Sequence, residues 1–447
     1  MKKLVYSILT IVALSVAFAS CQMMEKDLFE KDPATRQDNW MAEYRRVFNN
    51  NQYGWALYTS FPTYGRHPSV NTFAARFEQE YCTFYQSAAT VRIPGAYDKD
   101  SVTSTYAFKM DNGIVLSFDT YNLFFHYYSD QSQYFAQDMQ GDFEFCLDRF
   151  SENEDTIFGH GKTKGLPFFM VKMKTTPKEY QKLADEVDQY SAYDCLFICE
   201  GDSLPCRFLT GYHNLAIYFP DEDGGENVEH LYSYGTLVNG IYMMENIVYK
   251  NTRVVELTLD RTTGTYEDLV GKSGSKIVGT PLADYFLNIA DYENWFFGYS
   301  GLGSYTKSEW DKVWAAMEAS GKFKADYLYN ITLDCDGNGG ISLVLNMWYG
   351  VDEVRFPLEV KRVADDQIAL KWTGEQKHGR DWDYYDIGLK YIVDALAKKD
   401  SWTTYKVSFR EGNPMTPKGF ELTDVNNPDN SIYFETYYRY YHSTIWE

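Results

Sequence analysis

Apolar and polar positions alternate most densely over residues 105–162, which predicts a run of antiparallel strands. Asp111-Asn112-Gly113 offers side chains and a glycine that tolerate positive φ, and reads as a hairpin turn. Beyond it Ile114, Leu116, Phe118 and Thr120 fall on one face and Val115, Ser117 and Asp119 on the other. Tyr121, Leu123, Phe125 and Tyr127 then alternate with Asn122, Phe124, His126 and Tyr128, so the strand pattern is expected to continue through this aromatic run. A further strand at 142–147 leads through the acidic turn 151–154 into Thr156, Ile157 and Phe158.

The pattern returns at 329–375. Tyr329 to Leu333 runs into the turn 334–340, then 341–345 and 355–360, then the turn Ala364-Asp365-Asp366 and Ile368-Ala369-Leu370. Asp148-Arg149 before Ile157 matches Lys361-Arg362 before Ile368. Copies this far apart fit a duplicated domain and not a short-period solenoid. The fold expected is mainly β with a few helices (α+β): two lipocalin-like antiparallel barrel or sandwich domains, related by duplication.

Four helices interrupt the strands. Asp32 as N-cap with Pro33 at the first helical position opens one near 33–48, with Trp40, Tyr44, Val47 and Phe48 on one face. Thr176-Pro177-Lys178-Glu179 is a capping box for a helix near 177–190, whose stripe of Tyr180, Leu183, Ala184, Val187 and Tyr190 suits packing across a sheet opening or face. A second box, Thr306-Lys307-Ser308-Glu309, predicts a helix near 307–320 with Trp310, Val313, Trp314 and Met317 on one face and Gly321 as its stop. Leu389, Ile392, Val393 and Leu396 mark the fourth, near 386–398. The glycine, serine and lysine stretch GKSGSKIVG reads as a linker. The domains expected are thus a leader at 1–20, a tether at 21–31, an N-terminal β-rich domain at 32–270, a linker at 271–280 and a C-terminal β-rich domain at 281–447.

The formal charge of -21 over 447 residues changes the list of partners. Such a surface repels phosphate backbones and argues against nucleic acid. Aromatics make up 17% of the chain, with 39 tyrosines, which suits strands with one wet face or a platform for sugars and peptides.

Lys2-Lys3 followed by the apolar run 4–18 reads as a secretory leader, too short to span a bilayer. Its end, Phe18-Ala19-Ser20-Cys21, resembles a bacterial lipobox, which makes Cys21 the expected lipid attachment and the membrane the expected partner. Gln22 in place of Asp gives no inner-membrane retention signal, and Glu25 and Asp27 resemble a surface-export tag. An outer-membrane anchor facing the cell surface is expected.

Six cysteines remain besides Cys21. Cys195 and Cys199 face the same way along one strand, so the candidate disulfide is Cys199 with Cys206 across a turn at 201–205, set against the reading of each cysteine as a small buried hydrophobe. Asp334, Asp336 and Asn338 match the start of an EF-hand loop, but Leu345 stands where a bidentate Glu belongs, so a plain hairpin turn is expected, without metal or cofactor. The seven histidines form no HExxH, and no Gly-x-Ser-x-Gly elbow occurs. His126 reads as a structural hydrogen-bonder. Paired carboxylates for glycoside hydrolysis are not legible in a sequence.

Ser104-Thr105-Tyr106, the run from Gly113 to Asn122, the segment 141–145, Gly159, Lys162 and the DRTTGTY run at 260–266 carry a resemblance. The chain resembles the Bacteroidetes lipoproteins grouped as domain of unknown function 4302. The resemblance carries over no catalytic residue. It implies a place beside a TonB-dependent transporter and a surface binding lipoprotein, and hence capture of glycans or peptides. The function expected is a non-catalytic binding or accessory subunit of a nutrient-uptake system, with a structural or adhesive envelope protein and a surface hydrolase as alternatives.

Overall fold

A computed structural model describes residues 33–63, 66–87, 93–96, 98–111, 113–130, 140–192, 194–221, 225–289, 295–321, 328–335, 340–347, 352–378 and 383–435. The leader, the tether and Cys21 lie outside them. The chain is mainly β with few helices, as its alternation predicts. It divides into two compact units, one of residues up to Phe61 with Thr72–Lys178, the other of Pro62–Asn71 with residues from Glu179 on.

In the first unit, helix α1 (Pro33–Asn49) buries Tyr44, Val47 and Phe48 and leaves Trp40 56% exposed, so Trp40 departs from the expected face. The Tyr44 hydroxyl donates to the Leu147 carbonyl at 3.4 Å and its ring meets Phe150 edge-on. The sheet comprises β1 (Trp55–Thr63), β2 (Arg66–Glu78), β3 (Tyr81–Tyr85), β4 (Ser101–Thr105), β5 (Ala107–Met110), β6 (Ile114–Ser117), β7 (Glu144–Phe150), β8 (Thr156–Gly161) and β9 (Pro167–Lys172). Its order is β4-β3-β2-β1-β9-β8-β7-β6-β5. Gly54 enters β1 at φ +96°, where a Cβ would stand 2.2 Å from the Ala75 carbonyl oxygen, so only glycine fits.

The aromatic run after β6 is not a strand. Leu123–His126 forms a short helix, α2, because the buried Asn122 side chain caps it, Oδ1 accepting from the Phe124 and Phe125 N–H groups at 3.1 and 3.4 Å. Asn122 Nδ2 donates to the Val102 carbonyl and Ser104 Oγ, so the buried amide is satisfied on both sides.

The second unit begins with a closed barrel of β10 (Cys195–Cys199), β11 (Asp202–Leu209), β12 (Asn214–Phe219), β13 (Val228–Leu237), β14 (Gly240–Tyr249), β15 (Thr252–Asp260), β16 (Thr265–Glu267) and β17 (Lys276–Gly279). Closure corrects the linker reading of 271–280. Ile277 faces Phe197 and Tyr266 across the two ladders that make β17 the closing strand. Helix α3 (Pro177–Asp188) puts Val187 into the barrel core, and the Tyr266 hydroxyl donates to the Val187 carbonyl at 3.2 Å. Met415 enters the same core.

The third sheet contains β18 (Trp295–Phe297), β19 (Leu328–Cys335), β20 (Ile341–Met347), β21 (Asp352–Ala364), β22 (Gln367–Trp372), β23 (Lys377–His378), β24 (Thr403–Ser408), β27 (Phe420–Asp424) and β28 (Ser431–Phe434), while β25 (Glu411–Gly412) and β26 (Pro417–Lys418) form a separate hairpin. Reciprocal backbone hydrogen bonds between Phe296 and Glu435 draw its ends together. Helices α4 (Leu282–Ile289), α5 (Ser304–Ser320) and α6 (Lys390–Leu396), the last preceded by a π turn at Tyr385–Leu389, join its core. Thr306 is not an N-cap. It is buried inside α5 and donates to Asn430 Oδ1 at 2.8 Å, while Gly303, pressed against the Asp429 carbonyl, precedes the first turn. Trp314 stays 40% exposed, off the buried face of Trp310, Val313 and Met317, and Gly321 ends α5 at φ 66°.

The meanders β5 to β8 and β19 to β22 share successive antiparallel hairpins, and each carries a bulge in its last hairpin, at Leu147/Arg149 and at Arg362/Ala364. The skipped residue is Asp148 in the first and Val363 in the second, so Asp148-Arg149 and Lys361-Arg362 stand two positions out of step relative to the bulges.

Candidate ligand groove on the barrel

Residues 67–70, the first part of β2 and the part that falls in the second unit, lie as a strap against the barrel wall. Asn214 and Ser233 stand directly opposite each other on β12 and β13, and both donate to the Pro68 carbonyl, Nδ2 at 2.9 Å and Oγ at 2.7 Å. The Val70 N–H donates to the Tyr212 carbonyl at 3.2 Å. His67 Nε2 reaches Glu245 Oε1 at 2.5 Å, and the same oxygen accepts the Ser233 N–H at 3.1 Å.

His213 completes the anchorage from a tight turn, with φ 51°. Its Nδ1 bonds the Val70 carbonyl at 2.9 Å and its Nε2 faces Asp188 Oδ2 at 3.4 Å, while Asp188 Oδ1 accepts the Thr236 hydroxyl at 2.6 Å. With acceptors at both nitrogens the ring donates from both, which is the charged form. Burial works against that charge, but Asp188 and the Val70 carbonyl outweigh it and raise the imidazole above its ordinary value. His213 is a clamp and not a free base.

Beside His67 of the strap the barrel wall carries a groove of about 1030 Å³. Phe208, Leu209, Tyr212 and Leu231 give it apolar surface, and His67, Thr210, Asn214, Glu229 and His230 supply polar groups. An apolar concavity with a few fixed polar groups is the ordinary form of a small-ligand site. Glu229 accepts from the Tyr218 hydroxyl at 2.6 Å and from Arg207 at 2.7 Å, and those bonds lower its carboxyl. Burial would raise Glu245, but His67 and the Ser233 N–H overcome it and the net shift is downward. Both carboxylates are therefore held in the ionised form.

The first unit has a smaller groove, about 700 Å³, beside Trp40, Tyr44, Cys146, Asp148 and His160. Cys146 stands opposite His160, whose Nδ1 lies 3.1 Å from Asp148 Oδ2. The trio has the residue types of a thiol protease, but burial and then Asp148 raise the thiol, which opposes the thiolate such chemistry uses. His126, by contrast, is the structural hydrogen-bonder expected. Its Nδ1 accepts the Asn122 N–H and its Nε2 donates to the Phe118 carbonyl, both at 3.0 Å, and burial lowers its pKa and keeps it neutral.

Of the residues singled out in the sequence, Cys21, Asp336 and Asn338 lie outside the described residues. Asp334 Oδ2 is 2.9 Å from Arg355 Nη2, so a guanidinium occupies the carboxylate offered to a cation. Among the described residues no cluster of His, Cys, Asp or Glu is placed to hold a metal ion. The expected Cys199–Cys206 pairing is corrected by the hairpin register. Glu200 and Gly201, both at positive φ, make a two-residue turn, Cys199 stands opposite Asp202, and Cys206 stands opposite Cys195. Sequence reasoning missed the strap, since His67 and Glu245 are 178 positions apart and no local pattern joins them.

No curated protein matches the chain. Among solved structures it is similar to the beta subunit of DNA polymerase from Streptococcus pyogenes, with 9% identity, 88% of this chain and 97% of that one covered, and a TM-score of 0.12. It is also similar to Transferrin Binding Protein B from Haemophilus parasuis Hp5, at 10% identity, 86% and 74% coverage and a TM-score of 0.14. A third is the DNA polymerase III subunit beta from Pseudomonas aeruginosa, at 9% identity, 86% and 91% coverage and a TM-score of 0.12. Scores this low carry no argument. The sequence profile of the family described as Domain of unknown function (DUF4302) matches residues 25–261, more than half of the chain, and the protein belongs to that family.

Proposed function

We propose that the protein is a lipid-anchored outer-membrane protein that captures glycan or peptide ligands and does not transform them. The observation that carries this reading is the preformed groove beside the 67–70 strap, whose two nearby carboxylates, Glu229 and Glu245, are both held ionised. The lipobox-like run ending at Cys21 supports the anchor, and the resemblance to Bacteroidetes lipoproteins supports a surface-facing placement. In that setting the groove serves as an accessory site beside a TonB-dependent transporter and its surface binding lipoprotein. Ligand held there passes on unchanged.

The test is isothermal calorimetry and thermal shift on the full chain with panels of oligosaccharides and short peptides. Binding at 100 times Kd stabilises the folded state by about 2.7 kcal/mol, enough to read as a clear shift. One ligand class is expected to bind, and to be lost in Leu231→Glu, which drives a charge into the groove. Absence of any ligand, together with unchanged uptake after gene deletion, overturns the reading, as does release of cleaved product.

A further inference from the structure

We propose that Cys195 and Cys206 form a disulfide, a cross-strand bond between β10 and β11. The two residues are direct register partners, and their Sγ atoms lie 3.2 Å apart. Directly opposed antiparallel residues stand about 4.5 or 5.5 Å apart at Cα, inside the window of about 4.4–6.8 Å that a disulfide spans. Both residues are buried, each only 3% exposed, on the inner side of the barrel.

A third thiol sharpens the assignment. Cys199 points to the same interior but sits four residues further along β10, about 13 Å away along the strand. It accepts a hydrogen bond from Ser275 Oγ at 3.2 Å on the closing side of the barrel. Cys206 thus has one neighbour in reach and Cys199 has none among the described residues. The bond would tie β10, which is paired to β17 on its other side, to the hairpin that follows it.

Glutathione disulfide is a sufficient oxidant. The thiolate of one cysteine attacks a glutathione sulfur and expels one glutathione, and the thiolate of the other attacks the mixed disulfide and expels the second. The glutathione S–S bond breaks, the Cys195–Cys206 bond forms, and the two protons given up by the cysteines end on the two glutathione thiols. Burial pushes the Cys195 thiol well up, so exchange belongs to the stage before the barrel closes. The inference is independent of the ligand groove.

The experiment refolds the reduced full chain in a glutathione redox buffer, alkylates the remaining thiols under denaturing conditions, and maps peptides by mass without reduction. The expected result is one linked peptide joining Cys195 and Cys206, lighter by two hydrogens, with Cys199 alkylated. The urea midpoint should also fall on reduction in the native chain and stay fixed in Cys206→Ala; where that variant does not fold, Cys195→Ala takes its place. A Cys199–Cys206 link, full alkylation of all three cysteines, or a midpoint indifferent to reduction in the native chain overturns the proposal.

Discussion

The strap is held by a carbonyl with two donors, and that makes its energetics non-additive in a predictable direction. Ser233→Ala removes one hydrogen bond to the Pro68 carbonyl and should cost about 1 kcal/mol. Asn214→Ala removes the other, together with bonds to the His213 carbonyl at 3.2 Å and to Ser233 Oγ at 3.3 Å, and should cost about 1–2 kcal/mol. Either change alone leaves Pro68 one donor. The double variant leaves none, and stranding the carbonyl should add about 1 kcal/mol beyond the sum of the single effects. The natural probe is hydrogen exchange at the Val70 amide, which bonds Tyr212 and is released when the strap lifts. At about 1.4 kcal/mol per tenfold, each single variant should speed its exchange by roughly fivefold to thirtyfold. The double variant should exceed the product of the two by about fivefold. Exchange equal to that product, or a Val70 amide indifferent to all three variants, would refute the reasoning that these donors hold the strap.

The His213 clamp predicts a pH dependence of definite sign. Its folded pKa lies above the unfolded value of about 6.5, so its contribution is full below that value and is lost as pH rises through the folded pKa. The gap in urea midpoint between the native chain and His213→Gln should therefore narrow between pH 6 and pH 9, conditions spanning about three units around neutrality; a gap that widens contradicts the clamp. For the anchor, metabolic labelling with an acyl probe should mark the native chain and fail completely in Cys21→Ala; label that persists in the variant removes Cys21 as the attachment.

What the sequence made legible were the features written in local chemistry. Pro33 and Pro177 open the helices they were expected to open, and Gly321 closes α5 in the left-handed conformation. The aromatic run 121–128 misled because alternation of rings does not distinguish a strand from a short helix packed on both sides. The deciding residue was Asn122, whose side chain caps α2 and so outweighs the β preference of its neighbours. The stretch 271–279 reads as a linker because glycine and serine dominate it, yet β17 pairs with β10 and β16 and carries Ile277 into the barrel core. The cysteine pairing failed on turn length, since a loop of five residues was assumed where Glu200 and Gly201 suffice. Helix α4 went unread because eight residues give too few turns to show a period. The groove was beyond reach for a different reason. It is built from a strap and a wall far apart in the chain, joined by backbone carbonyls that no residue pattern reveals.

Closure of the barrel bears on where the family's own boundary falls. The matched region stops at Arg261, one residue past β15, whereas the last two staves, β16 and β17, come afterwards. A fragment trimmed at that point would leave the hoop unjoined, with β10 and β15 as raw rims offering their backbone groups to any passing chain. The smallest piece that keeps the hoop whole runs at least to Gly279.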